Sequence, residues 1–120
     1  MFKWITNLGG NSDQPHLPIQ PQLDLATIRT LEKAVVFKHS RSCPVSWAAC
    51  TQVRRFTKAN PSVPVYTVTI QEDRSLSRAI ADQTGIRHES PQVIVFRNGH
   101  VVASASHENV TEQYLTSMVA

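Results

Sequence analysis

The sequence predicts an α/β fold, a central mixed β-sheet flanked by helices in the order βαβαβαββα. Three observations carry this reading. Runs rich in β-branched and aromatic residues, at residues 34–38, 63–70 and 92–97, alternate with stretches whose apolar residues recur at helical spacing. Asn98-Gly99, flanked by two such runs, suits both positive-φ positions of a type I′ hairpin turn. Cys43-Pro44 stands where a strand would hand over to a helix, and proline fits the first helical position because its missing N–H has no intrahelical partner there.

Residues 1–16, including Gly9-Gly10 and Pro15, read as a flexible N-terminal leader, and residues 17–120 as one domain. Within the breaker-rich stretch only residues 17–20 have the composition for a short edge strand, which is expected there. Asp24 is the predicted N-cap of a helix that places Leu25, Ile28 and Leu31 on one face and ends near Lys33. The strand at residues 34–38 follows, then a helix from Pro44 to about Lys58 with Ala49, Val53 and Phe56 facing inward. The next strand spans residues 63–70. Leu76, Ala79, Ile80 and Gln83 give a third helix, stopped by Gly85. After the hairpin, Asn109 with Glu112 resembles a capping box opening a final helix that carries Leu115 and Met118.

The chain has 120 residues, 41% of them hydrophobic, which suffices for one buried core and argues against disorder. Its formal charge is +3, and Arg54, Arg55 and Lys58 cluster without interleaved aromatics. That pattern is a solvated helix face, so neither nucleic acid nor membrane is an expected partner. The opening residues hold no signal-peptide-like apolar run, and no segment approaches the roughly 18 to 20 apolar residues of a membrane span. A cytoplasmic location is expected. Two cysteines seven residues apart do not make a secreted disulfide framework, and a reducing compartment suits a thiol that must stay free.

Cys43 is the candidate reactive group. A thiol at a helix N-terminus lies where backbone N–H groups point outward and favour its thiolate, the reactive form. Lys38, His39 and Arg41 lie just upstream and add positive potential. With Cys43 as N-cap, Ser46 is the third helical residue, and both its N–H and its hydroxyl are expected to donate to the sulfur. Serine thus stands where a redox pair would have its second cysteine. Cys50 is seven residues along the same helix, about 10.5 Å of rise, whereas a disulfide needs Cα atoms within roughly 7 Å. It reads as a small apolar core residue, with a resolving thiol reached by local unfolding as the alternative. Trp47 is either a packing residue or a wall of the substrate groove. His39, His88, His107 and the cysteines show no CxxC or HxxxH pairing, so no metal site is expected.

The strand, the Cys-Pro-x-Ser helix start and Ser90-Pro91 before a closing hairpin together resemble the thioredoxin fold. The fuller strings Phe-Lys-His-Ser-x-x-Cys-Pro-Val-Ser, Arg87-His88-Glu89-Ser90-Pro91-Gln92 and Ala105-Ser106-His107 are similar to a narrower family, the monothiol bacilliredoxins of the bacillithiol system (YtxJ-like proteins). The likeness covers about residues 17–118. It implies a thiol–disulfide oxidoreductase that removes bacillithiol from mixed disulfides on client proteins. Cys43 is then the redox-active residue, supported by Ser46. The resemblance also implies a cis Pro91 against the active sulfur and a Ser90 backbone offered to substrate, with Pro44 beside them. Because bacillithiol carries malate carboxylates, Arg41, Arg87 and His107 are candidate anion contacts. No bound cofactor is implied; bacillithiol is the co-substrate, and bacillithiolated proteins are the partners. Two other readings stand beside this one: a thioredoxin-like binding module that holds an iron–sulfur cluster with a low-molecular-weight thiol, and a redox-inactive scaffold. The cluster-holding motif has Gly-Phe where this chain has Pro44-Val45.

Overall fold

The structure is a computed structural model that describes residues 25–120. Its elements are α1 (Leu25–Ile28), β1 (Lys33–His39), α2 (Pro44–Ala59), β2 (Val65–Thr69), α3 (Arg74–Thr84), β3 (Gln92–Arg97), β4 (His100–Ser106), a 3-10 turn (His107–Asn109) and α4 (Glu112–Val119). The strands lie in the order β2-β1-β3-β4, with β1 and β2 parallel and the other two pairs antiparallel. The mixed sheet and its flanking helices are those the sequence predicts. The expected strand at residues 17–20 and the cap at Asp24 lie outside the described residues.

β1 is the central strand, and every residue from Ala34 to His39 is buried. Alternation divides it between two cores. Val35 and Phe37 pack with Ala49, Cys50, Val53 and Phe56 of α2, and with Leu115 and Val119 of α4. Ala34 and Val36 pack on the other face with Ile28, Val68 and Ile80. A strand buried on both faces needs a near-continuous apolar run. Lys38 and His39 break that run while remaining fully buried, and this end of the sheet carries the site.

Local chemistry shifts several predicted boundaries. Among the described residues α1 is one turn, and it ends at Ile28 rather than near Lys33. Thr30 donates from its hydroxyl back to the Thr27 carbonyl, and the Glu32 carbonyl accepts from Asn98 N–H, so the chain is committed to β1 by Lys33. β2 is shorter than expected because Val63 lies in the preceding turn and the Pro64 carbonyl already accepts from Val35. The predicted capping box at Asn109 is not formed. Asn109 closes the 3-10 turn, and Thr111 caps α4 by accepting from Tyr114 N–H. Gly85 does stop α3 in the left-handed region. The hairpin turn also forms as expected, with φ of 52° at Asn98 and 83° at Gly99. A Cβ at Gly99 would meet the Arg29 backbone at 3.0 Å, which requires glycine there for space as well as for φ.

Candidate active site

Four chain segments meet at one end of the sheet. β1 and β2 both end there, β3 begins there, and β4 returns to it. His39 pairs with Thr69, and Lys38 pairs with Gln92. His107 donates its N–H to the Pro91 carbonyl at 2.8 Å. The register therefore brings residues 39–43, 69–73, 88–91 and 106–109 to the same edge. Loops beyond the carboxyl ends of parallel strands form the crevice of an open α/β sheet.

Cys43 is the N-cap of α2, with an extended backbone (φ −113°, ψ 117°) and Pro44 at the first helical position. Its carbonyl accepts from Ser46 N–H at 3.0 Å and from Trp47 N–H at 3.2 Å. The thiol is free and half-buried. Ser46 takes a different part from the one expected. Its N–H serves the Cys43 carbonyl, and its fully buried hydroxyl accepts from Ser40 N–H at 2.9 Å and bonds His39 Nδ1 at 2.8 Å. Serine at this position thus ties the helix start to the end of β1, and does not donate to the sulfur. The reason is geometric: the third residue of α2 faces the core, where two unpaired polar groups await it.

His39 is fully buried, and burial pushes its imidazole down to about 4; the Ser46 hydrogen bond opposes this and the Arg41 charge adds to it. It is therefore neutral at pH 7. Its ring meets that of Trp47 edge-on at 4.4 Å, and its Nε2 has no partner among the described residues. Trp47 Nε1 in turn donates to the Arg41 carbonyl at 2.8 Å. Trp47 thus packs against His39 and anchors the loop.

The loop before Cys43 is also held from the β2–α3 connection. Gln71 Oε1 accepts from Arg41 N–H, and Gln71 Nε2 donates to the Ser40 and Ser42 hydroxyls. Arg41, expected as an anion contact, pairs instead with Glu72 at 2.6 Å, both side chains being more than half exposed.

On the opposite side, the Ser90–Pro91 bond is cis, as the resemblance implied. The segment leading to it is tied down at His88, by a Lys38 that is itself anchored on α3, and at Arg87. Lys38 Nζ donates to the Ser77 carbonyl at 3.0 Å and to His88 Nδ1 at 3.2 Å, and Gln92 Nε2 donates to the Arg87 carbonyl at 2.9 Å. Burial lowers the Lys38 ammonium, and burial together with the Lys38 charge lowers His88, so the histidine accepts as a neutral ring. His107, the third candidate anion contact, lies 3.5 Å from Glu89, whose carboxyl is held low first by a Ser106 hydrogen bond. Of the three residues proposed for an anionic ligand, only Arg87 has no carboxylate within salt-bridge distance among the described residues, although its charge also helps hold Glu89 low.

Cys50 lies in the core between β1 and α2 with no exposed surface. Burial pushes its thiol up to about 11, with Arg54 opposing. Among the described residues no group of three or more potential metal ligands forms. A cleft of about 580 Å³ lies at the far end of the sheet, beside Asn98 and Gly99, remote from Cys43.

His39, Lys38, Gln71 and Glu72 were missed or only partly seen as site residues. The first two carried a signal: polar residues directly continuing the Val35-Val36-Phe37 run of a doubly buried strand. Gln71 and Glu72 carried only their position, immediately beyond the end of the strand parallel to β1.

A thiol at the N-cap of the helix after the central strand, with a cis-proline at the start of the neighbouring strand, defines the thioredoxin-fold thiol–disulfide oxidoreductases as the class. Solved structures agree on the fold. One, a thioredoxin-fold protein proposed to be an oxidoreductase, is 32% identical with a TM-score of 0.74, covering 79% of this chain and 84% of that one. Desulfothioredoxin from Desulfovibrio vulgaris Hildenborough is 22% identical with a TM-score of 0.65 over 84% and 91% of the two chains. A mutant thioredoxin from Halobacterium salinarum NRC-1 is 17% identical with the same TM-score over 91% and 93%. The model of the family Monothiol bacilliredoxin BrxC matches residues 18–115, and the chain belongs to that family.

Proposed function

We propose that the protein removes bacillithiol from mixed disulfides on client proteins through Cys43. The observation that carries this reading is the contrast at α2 of a family member: one half-buried thiol at the helix N-terminus, Ser46 where a pair would have its second cysteine, and Cys50 sealed in the core.

The exchange follows thiol–disulfide chemistry. The Cys43 thiolate attacks the bacillithiol sulfur of the mixed disulfide. The client sulfur leaves as thiolate and takes a proton from solvent, and Cys43 is left joined to bacillithiol. The thiolate of a second bacillithiol attacks the bacillithiol sulfur of this adduct, releasing oxidised bacillithiol and regenerating Cys43. With Ser46 unable to form a disulfide, the adduct persists until that second thiol arrives. Arg87 is the cation best placed to receive a carboxylate of bacillithiol, because Arg41 and His107 already face Glu72 and Glu89. The fold holds Cys43 in the extended conformation at the head of α2, half-buried and open to an incoming disulfide.

A client protein carrying a bacillithiol mixed disulfide tests the proposal directly. The wild-type protein with bacillithiol is expected to release the client thiol, and Cys43→Ser is expected to release none. Release by Cys43→Ser at the wild-type rate sinks it.

A further inference from the structure

We propose that Gln71 is a positioning residue for exchange at Cys43, clasping the loop that delivers the thiol to the head of α2. This rests on the reading of Cys43 as the exchanging thiol.

The carboxamide is fully used and its orientation is fixed. The Arg41 backbone N–H is only a donor, so the Gln71 carbonyl oxygen must face it, at 3.1 Å. The amide nitrogen then faces the hydroxyls of Ser40 at 3.0 Å and Ser42 at 3.3 Å, which are themselves 3.2 Å apart. One side chain thus engages three consecutive residues immediately before Cys43. Its platform is firm: Ile70 N–H donates to the His39 carbonyl, and the Thr69 carbonyl accepts from both Glu72 and Asp73. The loop's other tethers meet it from elsewhere. Trp47 holds the Arg41 carbonyl, Ser46 holds Ser40 N–H, and Glu72 holds the Arg41 guanidinium.

Gln71 itself is exposed and packs no core, so its hydrogen bonds serve the loop rather than global stability. The Cys43 carbonyl is anchored on the α2 side by Ser46 and Trp47 N–H, but on the loop side Cys43 N–H reaches the Ser40 carbonyl only at a long 3.4 Å, a weak bond that leaves the approach from residues 40–42 to other tethers. Releasing the clasp removes the bonds to Ser40 and Ser42 hydroxyls and to Arg41 N–H together, and loosens the loop side of Cys43 while the α2 side stays anchored.

The test is the rate of Cys43 alkylation by iodoacetamide between pH 5 and 10, read by mass at Cys43, for the wild type, Gln71→Met, Ser42→Ala and the double variant. Gln71→Met keeps the side-chain length and removes every hydrogen bond. It is expected to slow alkylation at pH 7 about two- to fivefold, the factor that loss of a helix-end interaction gives, and to displace the profile to higher pH. Thermal unfolding stays near that of the wild type. Ser42→Ala removes one arm of the same clasp, so the double variant is expected to be no slower than Gln71→Met alone. A wild-type rate and profile for Gln71→Met, or effects that multiply in the double variant, overturns the proposal. The reagent needs no bacillithiol. A wild-type protein that fails on a bacillithiolated client while the alkylation effects persist therefore defeats the functional reading alone.

Discussion

Cys43 and Cys50 share one helix and one covalent chemistry, yet the fold gives them opposite surroundings. Cys43 stands at the N-terminus of α2, half-buried, beneath a loop whose polar groups are tied to α2 itself and to the β2–α3 connection. Cys50 stands two turns further in, fully buried among Val35, Val53 and Phe56, with its thiol held up near 11. Exposure therefore follows position in the helix and in the sheet rather than residue type, and the proposed division of labour between the two thiols rests on it. A thiolate needs hydrogen-bond donors or a field, and the core of α2 supplies neither.

The strongest way to break this contrast is to exchange the roles by mutation. Cys43→Ser is expected to abolish exchange, whereas Cys50→Ala is expected to leave its rate within about twofold and to act on stability instead. Removing a buried sulfur leaves a small void, which costs about 1 to 2 kcal/mol by denaturant unfolding. A large loss of exchange in Cys50→Ala, without loss of fold, would make Cys50 a participant.

Ser46→Cys moves a second thiol to within reach of the first. N-cap and third helical residue are close enough for a disulfide, unlike positions 43 and 50. The variant is expected to oxidise, joining the introduced thiol to Cys43 in a bond detectable by peptide mapping. Its reduced form should lose about 1 to 3 kcal/mol, because His39 Nδ1 and Ser40 N–H lose their buried partner. Absence of the disulfide under oxidising conditions would show that α2 begins differently in solution.

The buried His39 predicts an acid limit on the polar surroundings of Cys43. Its folded value, about 4, lies below the unfolded value of 6.5, so its contribution is complete above pH 6.5 and is lost as pH falls toward 4. The full effect is on the order of 3 kcal/mol. Unfolding free energies measured at pH 7 and pH 5 should differ in that direction, and His39→Phe should flatten the difference. The smallest expected effect is at the proline side. Glu89→Gln removes the carboxylate that faces His107, and should speed exchange with an anionic disulfide about twofold while leaving a neutral one unchanged.

The sequence made the architecture legible wherever a single local rule sufficed. Pro44 after Cys43, Gly85 after α3 and Asn98-Gly99 in the hairpin are each set by backbone chemistry that needs no tertiary partner. It also anticipated the N-cap position of Cys43 and the burial of Cys50, and the family resemblance implied the cis Ser90–Pro91 bond. What it could not give were bonds made across the fold. The length of α1 is decided by Asn98 reaching Glu32, and the cap of α4 by Thr111 rather than Asn109. Ser46 was placed correctly at the third position of α2, but its hydroxyl is claimed by His39, seven residues earlier in sequence. Arg41 offers a free cation in sequence and a neutralised one in space, because Glu72 lies 31 residues away. Gln71 has no motif at all; only the parallel pairing of β1 with β2 brings it to the loop.

The central claim is that one thiol of the two carries the exchange, and peptide mapping after exposure to oxidised bacillithiol tests it most directly. The predicted result is a bacillithiol adduct on Cys43, formed faster than the glutathione adduct from oxidised glutathione, with Cys50 unmodified until the protein is denatured. An adduct on Cys50 in the folded protein, or a Cys43–Cys50 disulfide in good yield, would contradict it.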